Sequence, residues 1–482
     1  MCVTRALHII YEQAIVTMID VGTLIIGAGP TGLGAAVRFE EFGEHNWLLV
    51  EGAPGAGGLS QTLEKNGFKA DIGGHVLHSH YKWFDDVLDR FYGKNKEDSW
   101  NHHRRQAFVV MAKDCFIPYP FQNNVGLLPH ELRDKAVRGL LDNPYEAINP
   151  QNFDELLLKQ NGPGICDIFL RPYNTKVWAI SPKLMNHDWV KDRVSAPDKV
   201  KVVLNALHGC SDTGWGPNAT FRYPASGGSG AIYQSIADAL PQAKMAYNTS
   251  VESIDVDNKI AVVRTGDGTR NIRYAQMIST MPLDKLLPMI GRSVPPEIRY
   301  SSTHVVLIGV CGECPIQAAS WLYFPSTEVP FYRATIFSRY ANDLAPEGCY
   351  SLLLEVSESD SKQVCVSTIV QECVTACDAL GFISGTVVEA FHERFERGYP
   401  TPMKNLHRVV MPLLRKLRDI GIYSRGRFGC YLYEASNQDH CVLQGAEAAS
   451  HIMHGSMETS LELPSWANGC YNDAKFRGMQ KE

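Results

Sequence analysis

The sequence predicts an α/β chain in which a nucleotide-binding domain, assembled from both ends of the polypeptide, carries an inserted helical domain and an antiparallel β-sheet domain. Three observations predict it. Residues 23–26 form a short apolar strand that runs straight into Gly27-Ala28-Gly29-Pro30-Thr31-Gly32 and then an alanine-rich helical pattern. The apolar period is helical over residues 125–207 and strand-like over 301–386. A glycine-flanked strand at 426–429, a polar loop and a second alanine-rich helical pattern are expected near the C-terminus, so the nucleotide domain reads as discontinuous.

The first turn explains the rest. Gly27 permits a tight turn, Gly29 lets the backbone approach a pyrophosphate, and Gly32 lets the helix pack closely on the sheet. The helix N-terminus then faces the phosphates, with Thr31 in its first turn. A second buried strand over residues 47–50 ends on Glu51, placed to accept hydrogen bonds from a ribose. Residues 52–58, Gly-Ala-Pro-Gly-Ala-Gly-Gly, then keep side chains away just past that acid. An ordinary NAD dehydrogenase has no need of this second cluster, so FAD is the expected cofactor, held also by Gly57, Gly58 and Ser60. Residues 223–230 and 278–282 agree, since both resemble segments of amine-oxidase-like FAD proteins.

Size and composition set the bounds. The 482 residues, 45% of them hydrophobic, suffice for two or three domains with substantial cores. A net charge of -6 suggests neither nucleic acid nor an anionic membrane as partner. No apolar run reaches transmembrane length. Arg5, Glu12 and Asp20 break any signal-peptide core in the first twenty residues, which read as a disordered extension or an upstream start, with Met18 as an alternative initiator. Thirteen irregularly spaced cysteines fit reduced thiols in a cytoplasmic protein. Cys311-Gly312-Glu313-Cys314 has no second ligand pair and reads as a turn, so no metal is expected. The sequons at Asn218 and Asn248 read as incidental.

Taken in order, residues 71–76 carry paired glycines, Gly73 and Gly74, followed by His75, His78 and His80. Their alternating spacing, with no acid before Asp85, favours a loop over the flavin rather than a metal cluster. His102, His103, Arg104 and Arg105 are too few for a nucleic-acid footprint. Residues 116–122, with two prolines and three aromatics, suit either a rigid stacking wall or plain core packing. In the helical block, Leu132, Ala136, Val137, Leu140 and Leu141 mark one apolar face, and Phe153, Leu156 and Leu157 another. Arg171, beside Pro172 in this apolar block, needs an anionic partner if buried and none if exposed. A hairpin is expected at Gly266-Asp267-Gly268, and strands at 304–310, 321–324, 331–337 and 349–356, the third carrying Arg333. A helix is expected over residues 387–395. These readings assign residues 1–100, 216–295 and 396–482 to the FAD domain, 122–215 to the helical domain, and 101–121 with 296–395 to the sheet domain.

Six segments together resemble the eukaryotic-type UDP-galactopyranose mutases: GGHVLHSHYKWFDD from Gly73, PYPFQNN from Pro118, FLRPYNTKVWA from Phe169, WGPNATFRYP from Trp215, FYRATIF from Phe331 and GRFGCYLYEASNQDH from Gly426. The match spans residues 21–467. The resemblance implies a three-domain flavoenzyme whose FAD must be reduced, with NADPH as the usual reductant. The N5 atom of the reduced flavin attacks the anomeric carbon of UDP-galactopyranose, UDP is expelled, the sugar ring opens and recloses as the furanose, and UDP returns with no net redox change. Chemistry of this kind needs no side-chain nucleophile.

Residue roles implied by the resemblance follow its motifs. Arg171 and Arg333 would grip the diphosphate, where guanidinium forks match a dianionic leaving group. Arg105 and Arg427 would bind NADPH or the flavin edge. Tyr323, Tyr399 and Tyr433 would contact the diphosphate, while Tyr119, Phe121 and Gln122 would wall the uridine. Asn152 and Asn218 join the substrate set, Asn218 as a sugar contact. His75 would lie against the flavin, His80 near the substrate, and Gly74, Asn437 and Gln438 at the cofactor. His78, Gln106-Ala107 and Leu156 depart from the pattern, which bears on reductant preference and nucleotide affinity rather than reaction class. Two alternatives share the fold: an amine-oxidase-like FAD oxidase or desaturase, and a nucleotide-sugar-binding protein without turnover.

Overall fold

The computed structural model describes residues 18–93, 98–190, 197–213, 220–317 and 319–464. The expectations for the first seventeen residues, for Asn218 and for the start of the WGPNATFRYP segment lie outside the described residues. Two large sheets organise the chain. In the first, the order is Ser250–Asp255, Ile260–Thr265, Gly268–Ser279, Met18–Ile26, Trp47–Val50 and Met245–Ala246. Met18–Ile26 lies parallel to both of its neighbours, and Ile422–Ser424 extends the parallel part by pairing with Gly268–Ser279. The hairpin expected at Gly266-Asp267-Gly268 joins Ile260–Thr265 to Gly268–Ser279, with Thr265 opposite Gly268.

Helix Pro30–Glu41 covers one face of this sheet. It packs on helix Gln438–His454 so closely that a Cβ at Gly445 would lie 1.8 Å from the Thr31 carbonyl oxygen, and one at Gly34 would lie 2.1 Å from that of Val442. Small residues on both helices permit this approach. Chain ends more than 400 residues apart in sequence therefore share one core, which unites Leu33, Ala36, Val442 and Ala448.

The second sheet runs Thr386–Thr401, Arg299–Cys311, Cys349–Glu358, Arg333–Ile336, Trp321–Tyr323, Ala107–Ala112 and Cys115–Pro118. All its pairs are antiparallel except Trp321–Tyr323 with Ala107–Ala112. Two expectations need correction here. Residues 387–395 are strand, not helix: Thr386–Thr401 pairs along Arg299–Cys311 and turns Phe391 and Phe395 onto the core around Phe68, so long-range pairing overrides a locally helical composition. A helix instead occupies Ile369–Ala379 and buries Ile369, Cys373 and Cys377 at four-residue spacing, where cysteines took the place of more obvious apolar residues.

Helices His130–Leu141, Phe153–Ile165, Arg171–Trp178 and Lys199–His208 form the helical block around Phe153, Leu157 and Trp178. Leu141 is 54% exposed and so lies off the face expected for it. At the far end, the strand near the C-terminus is Ile422–Ser424, and residues 427–430 form a short helical turn rather than a strand. The expectation of reduced thiols throughout also fails at one pair, because Cys311 and Cys349 stand opposite each other across two strands and are bonded. Nine other cysteines among the described residues are free. No helix among the described residues is long and apolar enough to cross a membrane.

Candidate active site

A cavity of about 690 Å³ opens where the strands of the first sheet end, and the second sheet supplies its opposite wall. Its nucleotide end is built from glycine. Gly27 has φ +101°, and a Cβ there would lie 2.1 Å from Thr280 Oγ1. A Cβ at Gly32 would lie 1.9 Å from the Gly27 carbonyl, so helix and turn pack backbone to backbone. Gly29 differs from both. Its Cβ would meet only the Gly58 Cα, at 3.8 Å, so its backbone borders open space inside the cavity. It also precedes helix Pro30–Glu41 as an N-cap without a side-chain cap, which leaves first-turn N–H groups for a ligand.

The second glycine cluster faces the first. Gly57 donates its N–H to the Ala28 carbonyl at 2.9 Å, and Gly57 and Gly58 both adopt positive φ. Glu51 is pinned at the tip of Trp47–Val50, accepting from the Ala28 N–H at 2.7 Å and the Ala53 N–H at 2.8 Å. Ser60 and Thr31 line the same end, and Asn437 and Gln438 line it from the N-terminus of helix Gln438–His454. Two helix N-termini and a glycine slot fit a dinucleotide. The cavity's hydroxyls fit a polar ring system as well, for the buried Oγ1 atoms of Thr303 and Thr335 and the Nδ1 of His75 have no protein partner.

The other end is cationic and phenolic. Arg333 forks onto Glu355, Nε to Oε1 at 2.6 Å and Nη2 to Oε2 at 2.7 Å. Glu355 also accepts from the Tyr332 hydroxyl at 2.7 Å and from the Gly74 N–H at 3.2 Å. Burial alone would push this carboxyl up, but Arg333 and the hydrogen bonds hold it below the usual range, so the pair is ionic. Arg427 donates to the Gly398 carbonyl at 3.1 Å and to Ser436 Oγ at 3.0 Å, and it lies 4.8 Å from the Tyr399 ring centroid. Arg105 lies 5.6 Å from the ring of Tyr119, which meets Tyr323 at 5.2 Å. Burial raises the phenols of Tyr119, Tyr323 and Tyr399, keeping them as O–H donors. His75 goes the other way: burial, with Arg427 nearby, lowers it to about 4, so its ring is neutral near pH 7.

The expected residues divide by location. Gly27, Gly29, Thr31, Glu51, Gly58, Ser60, Gly74, His75, His80, Arg105, Tyr119, Tyr323, Arg333, Tyr399, Arg427, Tyr433, Asn437 and Gln438 all line the cavity. Gly32 and Gly57 support it from behind. Arg171, Phe121, Gln122 and Asn152 are not on its wall. Arg171 forks onto Asp154, with Nε to Oδ1 at 2.6 Å and Nη2 to Oδ2 at 2.7 Å, and reaches Asp167 at 3.3 Å. Phe121 is buried against Phe169, ring centroids 4.7 Å apart, and Gln122 is buried beside it. Asn152 caps helix Phe153–Ile165 by accepting from the Glu155 N–H at 3.0 Å.

Glu355, Thr303, Thr335 and Asp439 went unread in the sequence. Glu355 had a signal, a lone carboxylate in the apolar run Leu352-Leu353-Leu354-Glu355-Val356, which calls for a buried cation. The threonines had none, because strand threonines are ordinary.

Glycine slot, ribose acid and second helix N-terminus together define a dinucleotide-dependent enzyme with a cationic second compartment. Residues 30–344 match the family described as flavin containing amine oxidoreductase. Among solved structures, a crystal structure of reduced UDP-galactopyranose mutase superposes with a TM-score of 0.88 at 42% identity, covering 93% of this chain and 99% of that one. Cyclohexylamine oxidase from Brevibacterium oxydans IH-35A (TM-score 0.61, 15% identity, 90% and 99% covered) shares the fold. So does a CLA-producing fatty acid isomerase from P. acnes (0.58, 14%, 89% and 98%). The chain belongs to the flavin-containing amine oxidoreductases and, within that fold, to the UDP-galactopyranose mutases.

Proposed function

We propose that this protein is a flavin-dependent isomerase that interconverts UDP-galactopyranose and UDP-galactofuranose. The reading rests on one observation above all: a single cavity joins an FAD-shaped glycine slot to a compartment containing Arg333 and buried phenols. Gly29, Gly58, Glu51 and Ser60 would hold the FAD diphosphate and ribose, with Asn437 and Gln438 at the second helix N-terminus. Reduced FAD supplies, when bound, the N5 nucleophile for the anomeric carbon, with no net redox change. Arg333 binds the UDP diphosphate in this reading, and the hydroxyls of Tyr323, Tyr399 and Tyr433 donate to its oxygens. Glu355 sets the Arg333 guanidinium in place and keeps a free edge toward the substrate.

Arg171 joins the diphosphate site only by exchanging Asp154 for the ligand. Phe121 and Gln122 back the uridine wall rather than face it, and Asn152 acts through its cap. NADPH would serve as reductant, approaching Arg105 and Arg427. The domain division stated from the sequence is part of the proposal, with the sheet domain run on to Thr401 because Thr386–Thr401 is one strand, and so is a cytoplasmic location, which the nine free thiols among the described residues favour and the Cys311–Cys349 bond opposes.

The test is anaerobic conversion of UDP-galactofuranose by the purified yellow protein, followed by chromatography, with dithionite or NADPH and beside an oxidised control. We expect conversion only with reduced flavin. Oxygen consumption with amines and no sugar conversion would instead favour an oxidase, and UDP binding without conversion a binding protein.

A further inference from the structure

We propose that Trp321 is a positioning residue of the substrate site, whose indole N–H engages the Tyr323 oxygen and so turns the Tyr323 hydrogen toward the diphosphate. The inference rests on the mutase reading and deepens it, because it names a group that acts on the substrate through another side chain. Trp321 and Tyr323 stand two residues apart on one short strand, so both side chains leave it on the same face, and both line the cavity. Trp321 Nε1 donates to the Tyr323 hydroxyl at 2.6 Å. An indole N–H can only donate, so the phenol oxygen is the acceptor and its own hydrogen is left for another partner. Among the described residues no acceptor takes that hydrogen. A phenol O–H prefers the plane of its ring, which gives it two positions, and the Trp321 N–H disfavours the one that points at the indole.

The neighbours give the other position a use. Tyr323 stands opposite Arg333 across one strand pair, and Arg333 stands opposite Glu355 across the next, so the three form one row over three strands. Glu355 holds Nε and Nη2 of Arg333, the cation proposed to grip the diphosphate. A diphosphate oxygen drawn to Arg333 therefore arrives beside a hydroxyl that needs an acceptor. Accepting from Trp321 also polarises the phenol, which makes it the stronger donor. Burial raises the Tyr323 phenol while Arg333, the Trp321 N–H and Arg105 pull the other way, and the raised group keeps its hydrogen near neutrality. Both rings are held in place. Tyr119 and Tyr173 flank Tyr323, with ring centroids 5.2 and 5.3 Å away, and Phe221 lies 5.7 Å from Trp321. Beside the indole, Ser320 donates its N–H to the Gln106 carbonyl at 2.7 Å and accepts at Oγ from the Gln106 N–H at 3.2 Å. Trp321 thus sets the torsion of the O–H rather than the place of the ring.

The experiment is a double-mutant cycle on UDP affinity, measured by calorimetry with flavin-loaded unsubstituted protein, Trp321→Phe, Tyr323→Phe and the double variant, with melting temperatures and the indole ¹⁵N–¹H spectrum alongside. We expect Tyr323→Phe to weaken UDP binding by about tenfold or more, since a hydrogen bond to a charged oxygen is lost. Trp321→Phe, which keeps the hydroxyl but frees its hydrogen, should weaken binding by about threefold to tenfold. The double variant should bind UDP within about twofold of Tyr323→Phe alone, because Trp321 has nothing left to orient. The indole signal that Trp321→Phe removes should move upfield in Tyr323→Phe. The same cycle with 3-benzothienylalanine at position 321, whose sulfur replaces the N–H in a ring of the same shape, should give the same affinities with the packing kept. Unchanged affinity in that variant would overturn the inference alone. So would losses that add in the double variant, or an indole signal that ignores the Tyr323 hydroxyl. No UDP binding by the unsubstituted protein would overturn the mutase reading and this inference together.

Discussion

Arg333 and Glu355 form a buried ion pair that bears on stability and, in the proposed function, on binding. Truncating Arg333 leaves a carboxylate without its counterion in the core, which costs on the order of 3–5 kcal/mol. Arg333→Ala should therefore lower the melting temperature and weaken UDP binding, by at least about tenfold, as seen in calorimetry. The double substitution Arg333→Met with Glu355→Gln separates the two effects: stability should recover in part while UDP affinity stays low. His75 makes a pH prediction. Its folded pKa of about 4 lies below the ordinary histidine value of 6.5, so the folded state binds fewer protons than the unfolded chain. Stability is thus full above about pH 6.5 and declines as pH falls toward 4. His75→Phe should flatten that decline in denaturant titrations at pH 7.5 and 5; an unchanged slope would assign the decline to other groups.

Two glycines of the same turn predict opposite outcomes for the element they begin. A methyl at Gly29 projects into the cavity, where only the Gly58 Cα is near, so Gly29→Ala should keep the fold and lose flavin. A methyl at Gly32 collides with the Gly27 carbonyl, so Gly32→Ala should lower the melting temperature outright. Absorbance at the flavin band per mole of protein, with thermal unfolding alongside, distinguishes the two. Strand Thr386–Thr401 gives the converse lesson about elements. Its composition reads as helix, yet pairing with Arg299–Cys311 along most of its length decides its form. Local propensity differs between the two states by tenths of a kcal/mol per residue, and a row of ladder hydrogen bonds outweighs that.

At the scale of the whole molecule, the nucleotide site draws on residues near both ends of the described chain. Helix Gln438–His454 closes the core of helix Pro30–Glu41, and Glu458 beyond it forks onto the buried Arg425 at 2.5 and 2.6 Å. A chain cut after residue 395 should accordingly bind no flavin and be degraded rapidly by protease, whatever the state of its first half. Flavin retention by that fragment would show that the N-terminal turn suffices.

The sequence by itself determined the glycine turns and the hairpin at residues 266–268, because each follows from backbone conformations that a few adjacent residues permit or forbid, and its glycine clusters pointed to the flavin class. Its resemblance to the mutases also marked the arginines and tyrosines proposed for the second compartment. Only the tertiary structure decided which of them face the cavity. Arg333 meets Glu355 from a neighbouring strand, Arg171 is held by Asp154, and His80 meets an aspartate 359 positions away. Charges pair across space and not along the chain, so the partner that orients each one is set by how the sheets and helices pack.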